Sequence, residues 1–108
     1  MTDYQVKKGR YFDRDIEKIQ AFLLMNECPP STIQSIFDGI YKDMTRLRTS
    51  PRIGARLSNK TTIPNDYRYL LSEQYLIFYK VFDSEKLVRV YHIYHGKENY
   101  LAKLGLAD

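Results

Sequence analysis

Three apolar runs decide how this chain folds: Tyr67-Arg-Tyr-Leu-Leu-Ser72, Tyr75-Leu-Ile-Phe-Tyr-Lys-Val-Phe-Asp83 and Leu87-Val-Arg-Val-Tyr-His-Ile-Tyr-His-Gly96. They lie in a stretch that opens at Pro64 and runs to Leu104, and short polar breaks separate them, Ser72-Glu73-Gln74 and Asp83-Ser84-Glu85-Lys86. Runs of β-branched, aromatic and aliphatic residues with such breaks predict consecutive strands joined by tight hairpins, an antiparallel meander. Side chains alternate between the two faces of a strand. Alternation places Tyr67, Tyr69 and Leu71 opposite Arg68, Leu70 and Ser72, and sets Lys80 in phase with Leu76, Phe78 and Phe82. In the last run it sets Arg89 with Leu87, Tyr91 and Ile93, and His92 with Val88, Val90 and Tyr94. Each run thus carries a cation among apolar neighbours, as expected of a sheet with one covered face and one partly open, basic face.

Upstream lies the cover. Tyr4 to Lys8 is a short candidate strand, ended by Gly9, that can pair at an edge of the meander. A helix is expected from about Asp13, whose carboxylate suits the free amides of a first turn. Its apolar stripe is Phe12, Ile16, Ile19 and Leu23. Glu27-Cys28-Pro29-Pro30 stops it, because proline disfavours helix in the preceding residue. Ser31 with Gln34 is a capping-box pattern for a second helix. That helix carries Ile33, Ile36, Phe37, Ile40, Met44 and Leu47 on one stripe and ends at Ser50-Pro51 and Gly54. Ala55 to Ile63 reads as a loop or an irregular strand. The order is β-α-α-β-β-β, an α+β two-layer domain over residues 1–108 with a helical hairpin on an antiparallel-rich sheet.

Composition narrows the function classes. At 108 residues the chain is long enough for one modest core. Cys28 is the only cysteine, so no intrachain disulfide can form, and a cytoplasmic protein is expected. No apolar run approaches the ~20 residues that span a bilayer, so no membrane role is expected. Met1 to Arg10 lacks the pattern of a signal peptide. A net charge of +4 favours an anionic partner, and ten tyrosines supply packing rings that keep a hydroxyl. Glycine-rich phosphate loops, nucleophile elbows and paired carboxylates are missing, which removes NTPase, esterase and glycosidase readings. His92 and His95 point to opposite faces of a strand, so no metal site is expected, nor any cofactor.

The wording of several segments resembles the RelE/ParE superfamily, the toxins of bacterial type II toxin–antitoxin pairs. The segments are Leu47 with Ser50-Pro-Arg-Ile-Gly54, Tyr67-Arg68-Tyr69, Tyr75-Leu-Ile-Phe-Tyr-Lys-Val81, Val90-Tyr-His-Ile-Tyr-His-Gly-Lys-Glu-Asn-Tyr100 and the closing Leu101 to Leu104. The resemblance implies a growth-arresting toxin, cytoplasmic, neutralised by a cognate antitoxin. It implies as its target mRNA on the ribosome, cut by a metal-independent endoribonuclease; the alternative is DNA gyrase, poisoned without catalysis. Under the nuclease branch, Arg68 matches a strand-borne arginine that stabilises phosphate charge, while His95 and Tyr100 match C-terminal residues that assist proton transfer or stack on a base. Lys80, Arg89 and Lys97 are the matching candidates for substrate binding. Before the meander the chain offers only Arg56 and Lys60, with Glu73 in a turn, and so presents no obvious general base. His92 is expected to serve the sheet rather than the chemistry.

Overall fold

The computed structural model describes residues 3–107. Its elements are β1 (Gln5–Lys8), α1 (Arg10–Met25), α2 (Pro30–Thr45), β2 (Ala55–Arg56), β3 (Arg68–Ser72), β4 (Tyr75–Phe82), β5 (Leu87–His95) and α3 (Tyr100–Lys103). The strands form one sheet in the order β1-β5-β4-β3-β2. β2 to β5 are antiparallel neighbours, and β1 adds to β5 in parallel at the edge. This is the α+β layer arrangement that the apolar patterning predicts.

The helical hairpin lies on one face. Phe12 and Ile19 of α1, Ile40 and Met44 of α2, and Leu47 just after it are buried against Leu70, Tyr75, Ile77, Tyr79, Val88, Val90 and Ile93. Ile16, Leu23, Ile36 and Phe37 pack at the margin of this cluster. The two stripes therefore face the sheet as their helical spacing requires.

Both helix starts differ from expectation. α1 begins at Arg10 with Gly9 at the cap position, which brings Phe12 into the first turn, where it is wholly buried. Asp13 lies within that turn and pairs with Lys8 at 3.2 Å. α2 begins at Pro30, with Pro29 at the cap position and no side-chain cap. Proline fits the first helical position because its missing N–H has no helical acceptor to lose. The Ser31–Gln34 capping box does not form, and Gln34 Nε2 instead donates to Asp38 Oδ1 at 2.8 Å.

The sheet departs from strict alternation once. Tyr79 pairs with Val90 and Phe78 with His92, so Tyr91 is an extra residue on β5. Such a bulge reverses the facing of everything after it. Ile93, not His92, joins Val88 and Val90 on the helix side, which corrects the phase expected of β5. The opposite face is also less open than expected. Leu57, α3 and Leu106 cover Leu76, Phe78 and Tyr94 in a second cluster, and Thr61 Oγ1 donates to Leu106 O at 2.6 Å to hold the C-terminal segment there.

Candidate functional site

Arg68 opens β3 on the helix-facing side, in phase with Leu70. Its Nη1 donates to Gly54 O at 2.8 Å and reaches Arg52 O at 3.4 Å. Gly54 is drawn this close because its N–H donates to the buried Tyr79 hydroxyl at 2.9 Å. Burial raises the Tyr79 phenol above its ordinary value against the pull of the Gly54 N–H and of Arg68 and Arg52. The guanidinium is thus a tie between β3 and the loop before β2. Arg52 is engaged elsewhere, paired with Asp83, which also accepts from the Tyr4 hydroxyl.

Arg52, Arg56, Arg68 and Lys80, with Tyr67 and Asp66 among their neighbours, line a groove of about 380 Å³. Lys80 belongs to the face opposite Arg68, because β4 residues of its phase, Leu76 and Phe78, lie in the second cluster. Its ammonium lies 4.5 Å from the Tyr67 ring centre and 5.4 Å from that of Tyr91. Arg89 stands directly across from Lys80 in the ladder. The basic positions therefore gather at one end of the sheet.

His95 and Lys97 gather at the other end. The Lys97 N–H donates to His95 Nδ1 at 3.0 Å, which leaves the ring proton on Nε2, 3.1 Å from Gln74 Oε1. Both ring nitrogens are occupied. The ring stands edge-on to Tyr75 with centres 5.4 Å apart. Glu98 accepts the His95 N–H at 3.0 Å and pairs with Lys103. Burial raises the Glu98 carboxyl, but Lys103 and the His95 N–H outweigh it and hold the group below its ordinary value. Tyr100 packs its ring on Phe78, centres 5.3 Å apart, on the second cluster's face. Arg68 pairs with Tyr79 and His95 with Tyr75, so about 13 Å of strand separates them. Arg68, His95 and Tyr100 do not meet around one phosphate.

The chain belongs to the ParE toxin family of type II toxin–antitoxin systems. The family described as "ParE toxin of type II toxin-antitoxin system, parDE" matches residues 6–100, almost the whole chain. Solved structures agree on the fold. The chromosomal ParDE toxin–antitoxin system of P. aeruginosa is similar at TM-score 0.68 and 17% identity, over 85% of this chain and 95% of that one. The RelBE2 toxin–antitoxin complex of Mycobacterium tuberculosis gives 0.55 and 17%, over 88% and 93%. The intact E. coli RelBE complex gives 0.55 and 16%, over 88% and 99%. No curated protein sequence matches at a significant level.

One cluster in this ParE-family toxin escaped the sequence reading. Asp15, buried in α1, accepts the Ile93 N–H at 3.1 Å and lies 2.9 Å from His92 Nδ1. The Tyr94 hydroxyl is also 2.9 Å from that nitrogen, and the His92 ring is stacked between Tyr11 and Tyr94. Burial and the Asp15 charge push the Tyr94 phenol up to about 12. β1 ends at Lys8, leaving the later half of β5 without a strand partner on that side, and Asp15 supplies the acceptor its edge lacks. The visible signal was an acid one position from Ile16, within the buried stripe. Among the described residues no group of three His, Cys, Asp or Glu side chains is placed to hold a metal, and no helix is long and apolar enough to cross a membrane.

Proposed function

We propose that this toxin acts without catalysis, as a ParE-type poison of DNA gyrase, and is neutralised by a cognate antitoxin. The observation that carries this reading is the separation of Arg68, His95 and Tyr100. An endoribonuclease needs charge stabilisation and proton transfer at one phosphate. Here the Arg68 guanidinium holds the Gly54 and Arg52 carbonyls through Nη1, and the His95 nitrogens are engaged by Gln74 and Lys97 at the other end of the sheet. The resemblance to ParE-type members supplies the target.

An antitoxin segment of apolar and acidic character has a suitable place beside β1. The outer edge of that strand and α2 flank a groove of about 600 Å³ lined by Tyr4, Val6, Tyr41 and Met44, with Lys8 and Arg48 at its rim. An extended segment can add to such an edge and set alternate side chains into the groove.

Two assays on the purified chain decide the target. Gyrase incubated with supercoiled DNA is expected to accumulate cleaved DNA, while a translating extract keeps its mRNA intact. Ribosome-dependent mRNA cleavage with no effect on gyrase overturns the reading. Arg68→Ala separates the branches again. A nuclease loses about 10²–10³ in rate when one such donor is removed. A gyrase poison keeps its potency per folded molecule and loses only stability, and truncation after Gly96 is the more damaging change.

A further inference from the structure

The register of the sheet sets three cations in a row. Lys7 of β1 is the partner of Arg89 of β5, and Arg89 is the partner of Lys80 of β4. All three point to the face opposite the helices, since Val6, Val88 and Val90 alternate with them into the helix-side cluster. Adjacent strands lie about 4.8 Å apart, so the row crosses about 10 Å of the sheet. Like charges directly opposite one another destabilise a sheet. No ion pair relieves them: among the described residues the carboxylates that pair do so with other cations. Tyr67 and Tyr91, edge to face with ring centres 5.6 Å apart, hold Lys80 in place from its flanks. Tyr91 is the extra residue of the bulge. At the β4 end the row continues into the groove that Arg56 shares with Lys80.

We infer that the Lys7–Arg89–Lys80 row binds the phosphodiester backbone of duplex DNA. Closely spaced, unpaired cations on an open strand surface match a line of phosphates. A protein segment of comparable affinity needs apolar anchors as well, and the most exposed large apolar side chains lie outside the row, Phe22, Leu24 and Met25 at the C-terminal end of α1 and Leu71 near the end of β3. The inference adds to the gyrase reading a direct contact with the DNA that gyrase holds. It rests on that reading for where the DNA is met, and on the sheet alone for the contact itself.

Binding of the purified chain to a labelled duplex, with no gyrase present, tests it. Three phosphate contacts predict a slope near −2.7 for log affinity against log salt, about a 40-fold loss between 50 and 200 mM. Lys7→Gln, Arg89→Gln and Lys80→Gln are each expected to reduce the slope to about −1.8, about a 12-fold loss over the same range. Thermal midpoints are expected to hold or rise, because each change removes repulsion. Slopes that do not respond to the three substitutions overturn the inference. So does a result in which the variants bind DNA normally but lose affinity for the antitoxin, which makes the row a carboxylate site. Failure of gyrase trapping with DNA binding intact overturns only the choice of target.

Discussion

Replacing Tyr79 by phenylalanine removes one oxygen from the driest part of the molecule. Tyr79 has no exposed surface, and its hydroxyl is the acceptor for the Gly54 N–H at 2.9 Å. The ring stays, so no large cavity opens. What is lost is the partner of a buried donor, and stranding one costs about 1–3 kcal/mol. With about 4–8 °C per kcal/mol for a domain near this size, the thermal midpoint falls by several degrees. Urea unfolding followed by circular dichroism is the assay, and the midpoint is expected to fall with an unchanged slope. Gly54→Ala gives the companion measurement. A Cβ there meets Tyr69 O at 2.5 Å and the Tyr79 hydroxyl at 2.6 Å. Tyr69 is the ladder partner of Ala55, so its carbonyl cannot retreat without disturbing β2. Crowding of this kind adds about 1–3 kcal/mol to the strained hydrogen bond. In the double variant the hydroxyl clash is gone but the carbonyl clash persists, so Tyr79→Phe rescues Gly54→Ala little. A loss below about 0.5 kcal/mol for Tyr79→Phe refutes the reasoning, since it means water reaches the Gly54 N–H.

Asp15→Ala is expected to cost about 1–3 kcal/mol, because it strands the Ile93 N–H, and hydrogen exchange at Ile93 is expected to accelerate more than at Val88. Phe12→Ala, at a position with no exposure, is expected to cost about 3–5 kcal/mol by calorimetry or urea melts. The Tyr94 phenol, raised from 10.0 to about 12, makes stability pH-dependent in one window. The folded state keeps a proton that the unfolded state releases, so stability is intact below about pH 10 and is lost as pH rises toward 12. Nuclear magnetic resonance of the Tyr94 ring checks the titration, and Asp15→Asn is expected to lower its midpoint by removing a charge that disfavours the phenolate. A Tyr94 midpoint at the ordinary tyrosine value contradicts the packing described around it.

Much of this architecture was legible in the chain, and the reasons are local. Ile33, Ile40 and Met44 recur at helical spacing, and the runs from Tyr67 to His95 alternate, so both layers could be read from period alone. Tertiary burial overrode the capping signals. Phe12 and Pro30 set the helix starts, where Asp13 and Ser31 offered plausible alternatives. The Tyr91 bulge was not legible, because nothing in Val90-Tyr-His-Ile shows which residue falls out of the ladder. That one slip decided which face receives His92. The site suffered most from distance. Arg68, His95 and Tyr100 lie on segments that resemble the family, but only the register shows them at different ends and faces of the sheet. The row of Lys7, Arg89 and Lys80 depends on β1 pairing with β5, which no short-range pattern contains.

That pairing also sets a clock on synthesis. β1 leaves the ribosome first, yet its partner β5 follows about 80 residues later, which at 5–20 residues per second is a wait of about 4–16 s. The edge strand has no ladder until then, and α1 lacks the sheet strands that bury Phe12 and Ile19. Closing so long a loop is the costly step in assembling the sheet. The sheet is therefore completed only after β5 has been made. A nascent chain held short of Leu87 lacks both the edge groove beside α2 and the cationic row, so an antitoxin that recognises that groove meets this toxin only once β5 has joined the sheet.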